Sequence, residues 1–233
     1  MSGTRPAAAR PRVLLSWSSG KDSAWALHRL RATGEVEVGG LVTTVNAAAG
    51  RVAMHAVRET LLRAQAAAAE LPLVTVPIPS PCSNEEYERA FGAALAQAGA
   101  QGVTAVAFGD LFLEDVRAYR ERQVRAAGLA PLFPLWGEDT AALARTMLAA
   151  GLAARLTCID PRVLSRESAG RAFDAALLAA LPAGVDPCGE RGEFHTFCHA
   201  GPMFAREIPV TVGEVVERDG FVFADLLGGG GGG

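Results

Sequence analysis

The chain has 233 residues, with 22 basic and 25 acidic side chains and a net charge of −3 at neutral pH. Half of the residues are hydrophobic and a fifth are charged, which predicts a globular protein with a substantial core. The nearly balanced charge excludes the basic surface that sequence-independent nucleic-acid binding requires, and it favours a small-molecule or local partner. The uncharged stretch at residues 91–109 is interrupted by glycine and glutamine, so no membrane span is expected.

Both ends of the chain and its cysteines indicate where no chemistry is expected. Residues 1–12 carry three Arg and no acidic residue, which predicts a disordered tail, and the glycines at residues 228–233 predict a flexible end. The four cysteines contain no C-x-x-C pair, which favours reduced thiols and a cytoplasmic protein. A zinc site built from the cysteines and histidines of residues 188–199 would match no usual finger spacing.

Strand-like and helix-like segments alternate through the first two thirds of the chain. The predicted strands cover residues 13–18, 38–45, 73–78, 103–108, 131–135 and 155–159. The predicted helices cover residues 23–32, 57–70, 84–97, 114–127, 140–150 and 168–180. This alternation is typical of a parallel sheet with helices on both faces. We therefore expect an α/β fold with a doubly wound, Rossmann-like parallel sheet, in which ligands bind beyond the carboxyl ends of the strands.

The most informative segment follows the first predicted strand and reads S-S-G-K-D-S at residues 18–23. Its small residues permit a tight turn, and a helix that opens after such a loop presents unpaired backbone N–H groups to an anion. A helix terminus contributes about 0.3–1 kcal/mol to anion binding, or about 2 at best, whereas micromolar affinity needs about 8 kcal/mol. Lys21 and a metal would have to supply the remainder. The segment predicts a phosphate site for a nucleotide.

This segment departs from the Walker P-loop at two positions. Leu15 occupies the place of the first Gly, and Asp22 follows Lys21 where that motif has Ser or Thr. The segment resembles instead the S-G-G-K-D-S pyrophosphate loop of enzymes such as asparagine and GMP synthetases, which cleave ATP between the α and β phosphates. Ser19 replaces the first Gly of that pattern, and the other loop residues are kept. An ordinary solvated turn is the alternative for so short a segment.

Charged residues follow the fourth predicted strand. Asp110 would end on the same sheet rim as the loop, where a carboxylate beside a triphosphate can hold Mg²⁺ or the ribose. A plain turn at Gly109 and Asp110 is the alternative. Arg117 and Arg120 are three residues apart on the next predicted helix and would both face the nucleotide pocket, unless they belong to a solvated helix face. The candidate Mg²⁺ ligands are Asp22 and Asp110.

A second cluster of polar side chains lies between residues 185 and 199. Pro and Gly disfavour a helix there, and the alternation after residue 193 predicts a strand with Glu193 and His195 on one face. Glu190 lies on the loop before that strand. Carboxylates and an imidazole gathered in a bend can accept protons or bind an amine nucleophile. An exposed edge strand that carries Glu and His for solubility is the alternative.

Several separated motifs together resemble the diphthine–ammonia ligase family over residues 13–204. They are L-S-W-S-S-G-K-D-S at 15–23, M-H-A-V-R at 54–58, G-D at 109–110, E-D-V-R at 114–117, Y-R-E at 119–121, P-L-W at 134–136, V-D-P-C-G-E at 185–190 and G-E-F-H-T-F at 192–197. The resemblance implies a HUP-type ATP-binding domain at residues 13–136, followed by a smaller α+β substrate domain at residues 137–227. It also implies a ligase that adenylates a carboxylate, releases AMP and pyrophosphate, and amidates the acid with ammonia.

Carried over by position, the resemblance implies roles for individual residues. The residues that would bind ATP are Ser16, Ser18, Ser19, Gly20, Lys21, Asp22, Ser23, Gly109, Asp110 and Arg117. The catalytic residues would be Lys21, Asp110, Glu190, Glu193 and His195, of which the last three would line the acceptor pocket. ATP and Mg²⁺ would be the cofactors. The partners would be ammonia and a small or protein-borne carboxylate, and a homodimer is one possibility.

Two other functions stay open from the sequence. Related pyrophosphate-loop proteins thiolate tRNA, but the missing C-x-x-C pair and the lack of a basic surface disfavour that activity here. A nucleotide-binding module without catalysis is the other alternative, and the second polar cluster argues against it because a sensor needs no acceptor site. The Ala-rich, Arg-over-Lys composition indicates a high-GC bacterium, in which diphthamide is not expected. A related amidation or another adenylating reaction is therefore as credible as the family's own.

Overall fold

The computed structural model describes residues 10–47, 50–52 and 57–229. Three parts of the sequence-based predictions lie outside these residues, namely the tail at residues 1–9, the motif residues 54–56 and the glycines at 230–233. Two residues that the predictions assigned to the tails belong instead to strands. Arg12 begins the first strand, and Gly228 ends the last one.

A mostly parallel sheet forms the N-terminal half. Within the described residues its strands are β1 Arg12–Ser16, β2 Glu37–Asn46, β3 Arg51–Val52, β4 Leu73–Ile78, β5 Ala105–Ala107 and β6 Ala130–Leu132. The parallel strands run in the order β4-β2-β1-β5-β6, and the short β3 pairs antiparallel with the end of β2. The winding of the chain reverses at β1, so the crevice between the ends of β1 and β5 is the expected ligand position. The predicted doubly wound α/β fold is confirmed.

Helices cover both faces of this sheet. They are α1 Lys21–Thr33, α2 Glu59–Ala68, α3 Asn84–Ala100 and α4 Glu114–Ala126. Because successive side chains of a strand point to opposite faces, β1 contributes to two separate cores. Val13 and Leu15 pack with Leu27 of α1 in one core, and Leu14 packs with Phe91 of α3 in the other. Among the described residues, no helix combines the length and apolar character needed to cross a membrane.

The C-terminal part is an α+β arrangement around an antiparallel sheet. Its elements are α5 Thr140–Ala149, β7 Ala153–Ile159, a 3₁₀ turn at Arg166–Ser168, α6 Ala175–Ala180, β8 Phe194–Ala200, β9 Val210–Arg218 and β10 Phe221–Gly228. The strands run in the order β8-β7-β10-β9. The predicted strand around residues 194–198 is confirmed, whereas the β9–β10 hairpin is absent from the predicted elements.

One predicted helix is wrong over half of its length. The sequence predicts a helix at residues 168–180, but the structure has only α6 Ala175–Ala180 there. Gly170 has a φ of 81°, which a right-handed helix cannot include. Asp174 then caps the start of α6, because its carboxylate accepts a 2.7 Å hydrogen bond from the backbone N–H of Leu177.

Candidate nucleotide and acceptor site

A cavity of about 930 Å³ opens at the carboxyl ends of β1 and β5. Its volume lies within the range of small-molecule sites, which is about 300–1,000 Å³. One side, here called the loop wall, is formed by the residues of 16–23 and 188–196 that line the cavity. Another side, here called the helix wall, is formed by Tyr87, Asp110 and Arg120. The two clusters predicted from the sequence therefore meet in one cavity.

Ser19 has a backbone conformation that favours glycine. Its φ is 70°, in the left-handed region that non-glycine residues rarely occupy. Its carbonyl points away from the cavity and accepts 2.9 Å hydrogen bonds from the side-chain amide of Gln65 and from the backbone N–H of Cys198. The Ser19 side chain is fully buried, and its hydroxyl has no hydrogen-bond partner among the described residues.

Gln65 of α2 links the loop to both halves of the protein. Its side chain is fully buried and uses both ends of its amide. The oxygen accepts a 2.9 Å hydrogen bond from the indole N–H of Trp17, and the nitrogen also donates to the carbonyl of Cys198 at 2.7 Å. Gln65 thereby joins the end of β1 and the phosphate loop to strand β8.

The hydroxyls and backbone of the loop form a connected network. The Ser18 and Ser23 hydroxyl oxygens are 3.1 Å apart, and the Ser23 hydroxyl donates to the carbonyl of Gly20 at 3.0 Å. The backbone N–H of Lys21 donates to the hydroxyl of Thr196 at 3.1 Å, so β8 already satisfies one donor of the helix start. Ser16 is half-buried and lines the same cavity.

The charge of Lys21 is enclosed on the loop wall. Its ammonium group is 2.8 Å from the Asp22 carboxylate and donates to the carbonyl of Cys188. The Lys21 Nζ also lies 5.5 Å from the ring centre of Phe173 and 5.5 Å from that of Phe194. Burial opposes the charged form of Lys21, but attraction to the carboxylates outweighs it and raises its pKa. The sequence predicts a free charge at the phosphate site, whereas the structure shows a charge neutralised by Asp22.

Gly109 brings the end of β5 against the start of α1. A Cβ atom at this position would lie 2.8 Å from the carbonyl carbon of Asp22 and 2.8 Å from the backbone nitrogen of Ser23. Backbone atoms cannot move aside as a flexible side chain can, so only glycine fits. This close approach places Asp110, the next residue, beside the phosphate loop.

On the helix wall, Asp110 is paired with Arg120. One Asp110 carboxylate oxygen is 2.6 Å from the Arg120 Nε, and the guanidinium carbon lies 4.7 Å from the ring centre of Phe108. Burial raises the pKa of Asp110, and the charge of Arg120 opposes that rise. Arg120 lines the cavity together with Tyr87 of α3.

The predicted position of Arg117 in the nucleotide pocket differs from the structure. Its guanidinium carbon lies 5.0 Å from the ring centre of Phe133 and 4.6 Å from that of Trp136. Its Nε is 2.9 Å from the carboxylate of Glu121. Three residues correspond to 300° of helix rotation, so Arg117 and Arg120 point in directions about 60° apart, and only Arg120 lines the cavity.

The two predicted Mg²⁺ ligands, Asp22 and Asp110, each face a cation of the protein. Asp22 faces the ammonium of Lys21, and Asp110 faces the guanidinium of Arg120, so each carboxylate already has a cation. Among the described residues, no group of three or more His, Cys, Asp or Glu side chains is arranged to hold a metal ion. Mg²⁺ is often bound by one or two carboxylates together with phosphate oxygens and water, so Mg²⁺ binding with ATP stays a prediction, and no chemical step is derived through it.

Glu190 is a carboxylate of the cavity with a raised pKa. One of its oxygens accepts a 2.8 Å hydrogen bond from the backbone N–H of Leu111. Burial raises its pKa to about 7, with further contributions from the negative charges of Asp22 and Asp110, and the Leu111 hydrogen bond partly opposes the rise. A carboxylate with this pKa can take up and release a proton near neutral pH.

The other two predicted acceptor residues differ from each other. Glu193 is buried outside the cavity lining, where its carboxylate accepts 2.9 Å hydrogen bonds from the backbone N–H groups of Asp186 and Arg191. This placement differs from the prediction, because the carboxylate closes the bend instead of facing the acceptor. His195 does line the cavity. Burial, together with the charge of Lys21, lowers its pKa to about 4, so the imidazole is neutral at pH 7.

Three residues that shape the site were not predicted. Asp186 accepts hydrogen bonds from the backbone N–H groups of Cys188 at 3.1 Å and Glu190 at 2.9 Å, and so orders the loop that carries Glu190. The sequence does offer a signal for Asp186, because an Asp before Pro is typical of a turn in which the Asp side chain accepts a hydrogen bond from the backbone N–H two residues later. Gln65 and Thr196 carry no local signal, because their partners are far away along the chain.

Family models match both halves of the chain. Residues 11–131 match the model described as the diphthamide synthase N-terminal domain, and residues 139–223 match the diphthamide synthase C-terminal domain. The chain belongs to the diphthamide synthase family. The membership predicted from the motifs is thereby confirmed.

Two curated proteins that are similar to this chain are both named diphthine–ammonia ligase. The protein of Schizosaccharomyces pombe (strain 972 / ATCC 24843) is 32% identical over 118 residues, which cover 49% of this chain and 20% of that protein. The protein of Rattus norvegicus is 26% identical over 150 residues, which cover 62% of this chain and 56% of that protein. The chain thus spans between a fifth and just over half of the length of these relatives.

Proposed function

We propose that the protein is an ATP-dependent ligase that joins ammonia to a carboxylic acid, the reaction class in the name of its two relatives. The observation that carries this proposal is the meeting of two features in one cavity. A loop that opens a helix, as phosphate-binding loops do, faces the cavity together with Glu190, a carboxylate whose raised pKa of about 7 suits proton transfer.

The nucleotide part of the proposal concerns the loop wall. The hydroxyls of Ser16, Ser18 and Ser23 would bind phosphate oxygens, and the start of α1 would face the negative charge. When ATP is bound, a carboxylate oxygen of the acceptor would attack the α-phosphorus, the bond to the β-phosphate oxygen would break, and pyrophosphate would leave. Holding both reactants in one cavity supplies part of the rate acceleration. We assign this step to residues 13–136.

The nitrogen part of the proposal concerns Glu190 and His195. Ammonia would attack the activated acyl carbon, and the carbon–oxygen bond to AMP would break. The Glu190 carboxylate would take the proton that the nitrogen releases, while the neutral His195 would orient that nitrogen by a hydrogen bond. We assign acceptor binding to residues 137–227, with the acceptor being a small or protein-borne carboxylate.

Product analysis tests the reaction class. The protein is incubated with ATP, ammonium chloride and a panel of carboxylic acids, and the nucleotides are separated by chromatography. AMP and pyrophosphate that appear only with an acid support the ligase. ADP as the product contradicts cleavage between the α and β phosphates. Tight ATP binding without turnover on any acid favours the nucleotide-binding module.

The variant Glu190→Gln tests the proton-transfer step. In the wild type we expect the rate of amide formation to rise with pH through about 7, because the carboxylate must be ionised to accept a proton. The variant should lose this dependence and about 10²–10⁴-fold of the rate, which is the usual contribution of a general base, while ATP affinity is retained. Glu85→Gln, at an exposed position on α3, is the matched control. An unchanged pH profile in Glu190→Gln contradicts the assigned role.

A further inference from the structure

The cavity contains little positive charge for a ligand that carries several negative charges. Lys21 is neutralised by Asp22, and His195 is neutral at pH 7 because its pKa is lowered to about 4. The side chain of Arg191 is 58% exposed, and its guanidinium lies 5.2 Å from the ring centre of Phe112. Among the described residues that line the cavity, this leaves Arg120, which is paired with Asp110, as the enclosed cation that still has N–H donors for a ligand.

Arg120 is held in a fixed orientation that leaves donors for a ligand. Its side chain is only 26% exposed, because it stacks on Phe108 and pairs through Nε with Asp110. The neighbouring Tyr87 hydroxyl also interacts with the guanidinium. A guanidinium carries five N–H donors in a planar fork, and the contact of Nε with Asp110 is an ion pair without hydrogen-bond geometry. The donors on the terminal nitrogens remain for an oxyanion.

This cation is close to the start of α1. Asp110 follows Gly109, whose backbone packs against the backbone of Asp22 and Ser23. The backbone N–H of Leu111, the residue after Asp110, donates to a carboxylate oxygen of Glu190 at 2.8 Å, so the two walls approach each other near Glu190. An oxyanion held by the phosphate loop would therefore lie next to the Asp110–Arg120 pair.

We propose that Arg120, oriented by Asp110, is an oxyanion receptor for the terminal phosphates of the bound nucleotide, the part that would leave as pyrophosphate. The inference rests on the proposed use of ATP and deepens it. A planar guanidinium binds two phosphate oxygens at once, and a partner on Nε fixes the direction of the fork. Arg120 thereby offers N–H donors to the cavity, whereas the ammonium of Lys21 is enclosed by Asp22 and the carbonyl of Cys188.

Titration calorimetry with ATP, AMP and inorganic pyrophosphate tests the assignment. The variants are Arg120→Gln, Arg120→Lys and the matched control Arg117→Gln, which removes an arginine of the same helix that stacks outside the cavity. We expect Arg120→Gln to weaken ATP and pyrophosphate binding about 10- to 100-fold, as loss of hydrogen bonds to a charged group does, with AMP binding within about twofold. Arg120→Lys should lie between, because it keeps the charge and loses the fork.

Each contrary result has a distinct meaning. Equal ATP affinity in Arg120→Gln and wild type overturns the inference and leaves the proposed function intact. A parallel loss of AMP and ATP binding also overturns it, because the residue would then act through the fold or the nucleoside. Unchanged ATP binding with loss of acid-dependent AMP release shows that the oxyanion is the acceptor carboxylate instead. No ATP binding by the wild type overturns the proposed function and this inference together. Thermal unfolding of all variants checks that each one folds.

Discussion

On the loop wall, the ammonium of Lys21 is surrounded by protein partners, whereas on the helix wall the guanidinium of Arg120 keeps donors towards the cavity. The two walls also differ in what holds them in place. The backbone of the loop wall is held by hydrogen bonds to Gln65 and β8. The helix wall is assembled from side chains of α3, α4 and the segment between β5 and α4. The loop wall therefore provides shape through a fixed backbone, and the helix wall provides N–H donors for a ligand.

This division makes the loop wall depend on both halves of the chain. The carbonyl of Ser19 and the backbone N–H of Lys21 bind groups of β8, and Gln65 binds both β8 and the loop. The N-terminal sheet alone would leave these groups without their partners. We therefore expect changes at these contacts to affect folding and nucleotide binding together, whereas changes at Arg120 should affect mainly nucleotide binding.

The largest expected effect follows from Gln65→Glu. The variant replaces a donor that binds two carbonyl oxygens by a carboxylate oxygen that repels them, in a fully buried site. An uncompensated buried charge costs about 3–5 kcal/mol, so we expect a loss of this size in the free energy of unfolding at pH 8, measured in urea. ATP affinity should fall as well, because the Ser19 carbonyl loses its side-chain partner.

The pH dependence of Gln65→Glu separates this cause from a general packing defect. Burial raises the pKa of the new carboxyl in the folded state, so the folded protein favours the neutral form. The destabilisation should therefore be smaller at pH 5, which is close to the ordinary pKa of a glutamic acid, than at pH 8, where the unfolded chain is fully ionised. Gln97→Glu, on the exposed side of α3, is the control and should be nearly neutral. Equal destabilisation at both pH values contradicts the explanation.

Gly109→Ala tests the contact that joins the two walls, and its expected effect is smaller. The added Cβ would meet backbone atoms of Asp22 and Ser23 at 2.8 Å, so β5 or α1 must shift. Overpacking of this kind costs about 1–3 kcal/mol, and the shift should also weaken ATP binding. Gly92→Ala on α3 has no neighbour within 4 Å and should be neutral or slightly stabilising. Matching urea midpoints for the two variants would contradict the close approach.

The sheet could be predicted from the sequence because its signals are local. The apolar runs and the helix between each pair of strands fixed the alternation, and the predicted strand at residues 73–78 matches β4 Leu73–Ile78. The helix predicted at residues 168–180 failed because its apolar residues resemble a helix face, while Gly170 adopts a positive φ that breaks it. The β9–β10 hairpin was missed because the hydrogen bonds that stabilise it run between the two strands, and neither strand has a clear periodic pattern of its own.

The site was predictable as a set of motifs but not as a geometry. The loop and the second polar cluster meet in one cavity, which the separate motifs did not show. Sequence reasoning could not tell Arg120 from Arg117, because both lie on a charged helix and only tertiary packing against Phe133 and Trp136 separates them. Sequence reasoning also could not show that Glu193 accepts hydrogen bonds from backbone N–H groups, because the backbone conformation of residues 186–191 decides which N–H groups reach it.

The smallest expected effect, at Ser19→Gly, tests whether the loop is shaped by its surroundings. Glycine relieves the strain of a φ of 70°, and it removes a buried hydroxyl that lacks a hydrogen-bond partner in the described part of the chain. The greater conformational entropy of glycine in the unfolded chain opposes this gain in stability. We expect a net stabilisation of about 1 kcal/mol in urea, with ATP affinity within about twofold, because Gln65 and Cys198 still hold the carbonyl. Asp219→Gly, at an exposed φ of 53°, is the control for the backbone effect alone. Destabilisation or lost ATP affinity in Ser19→Gly would show that the serine side chain itself shapes the loop.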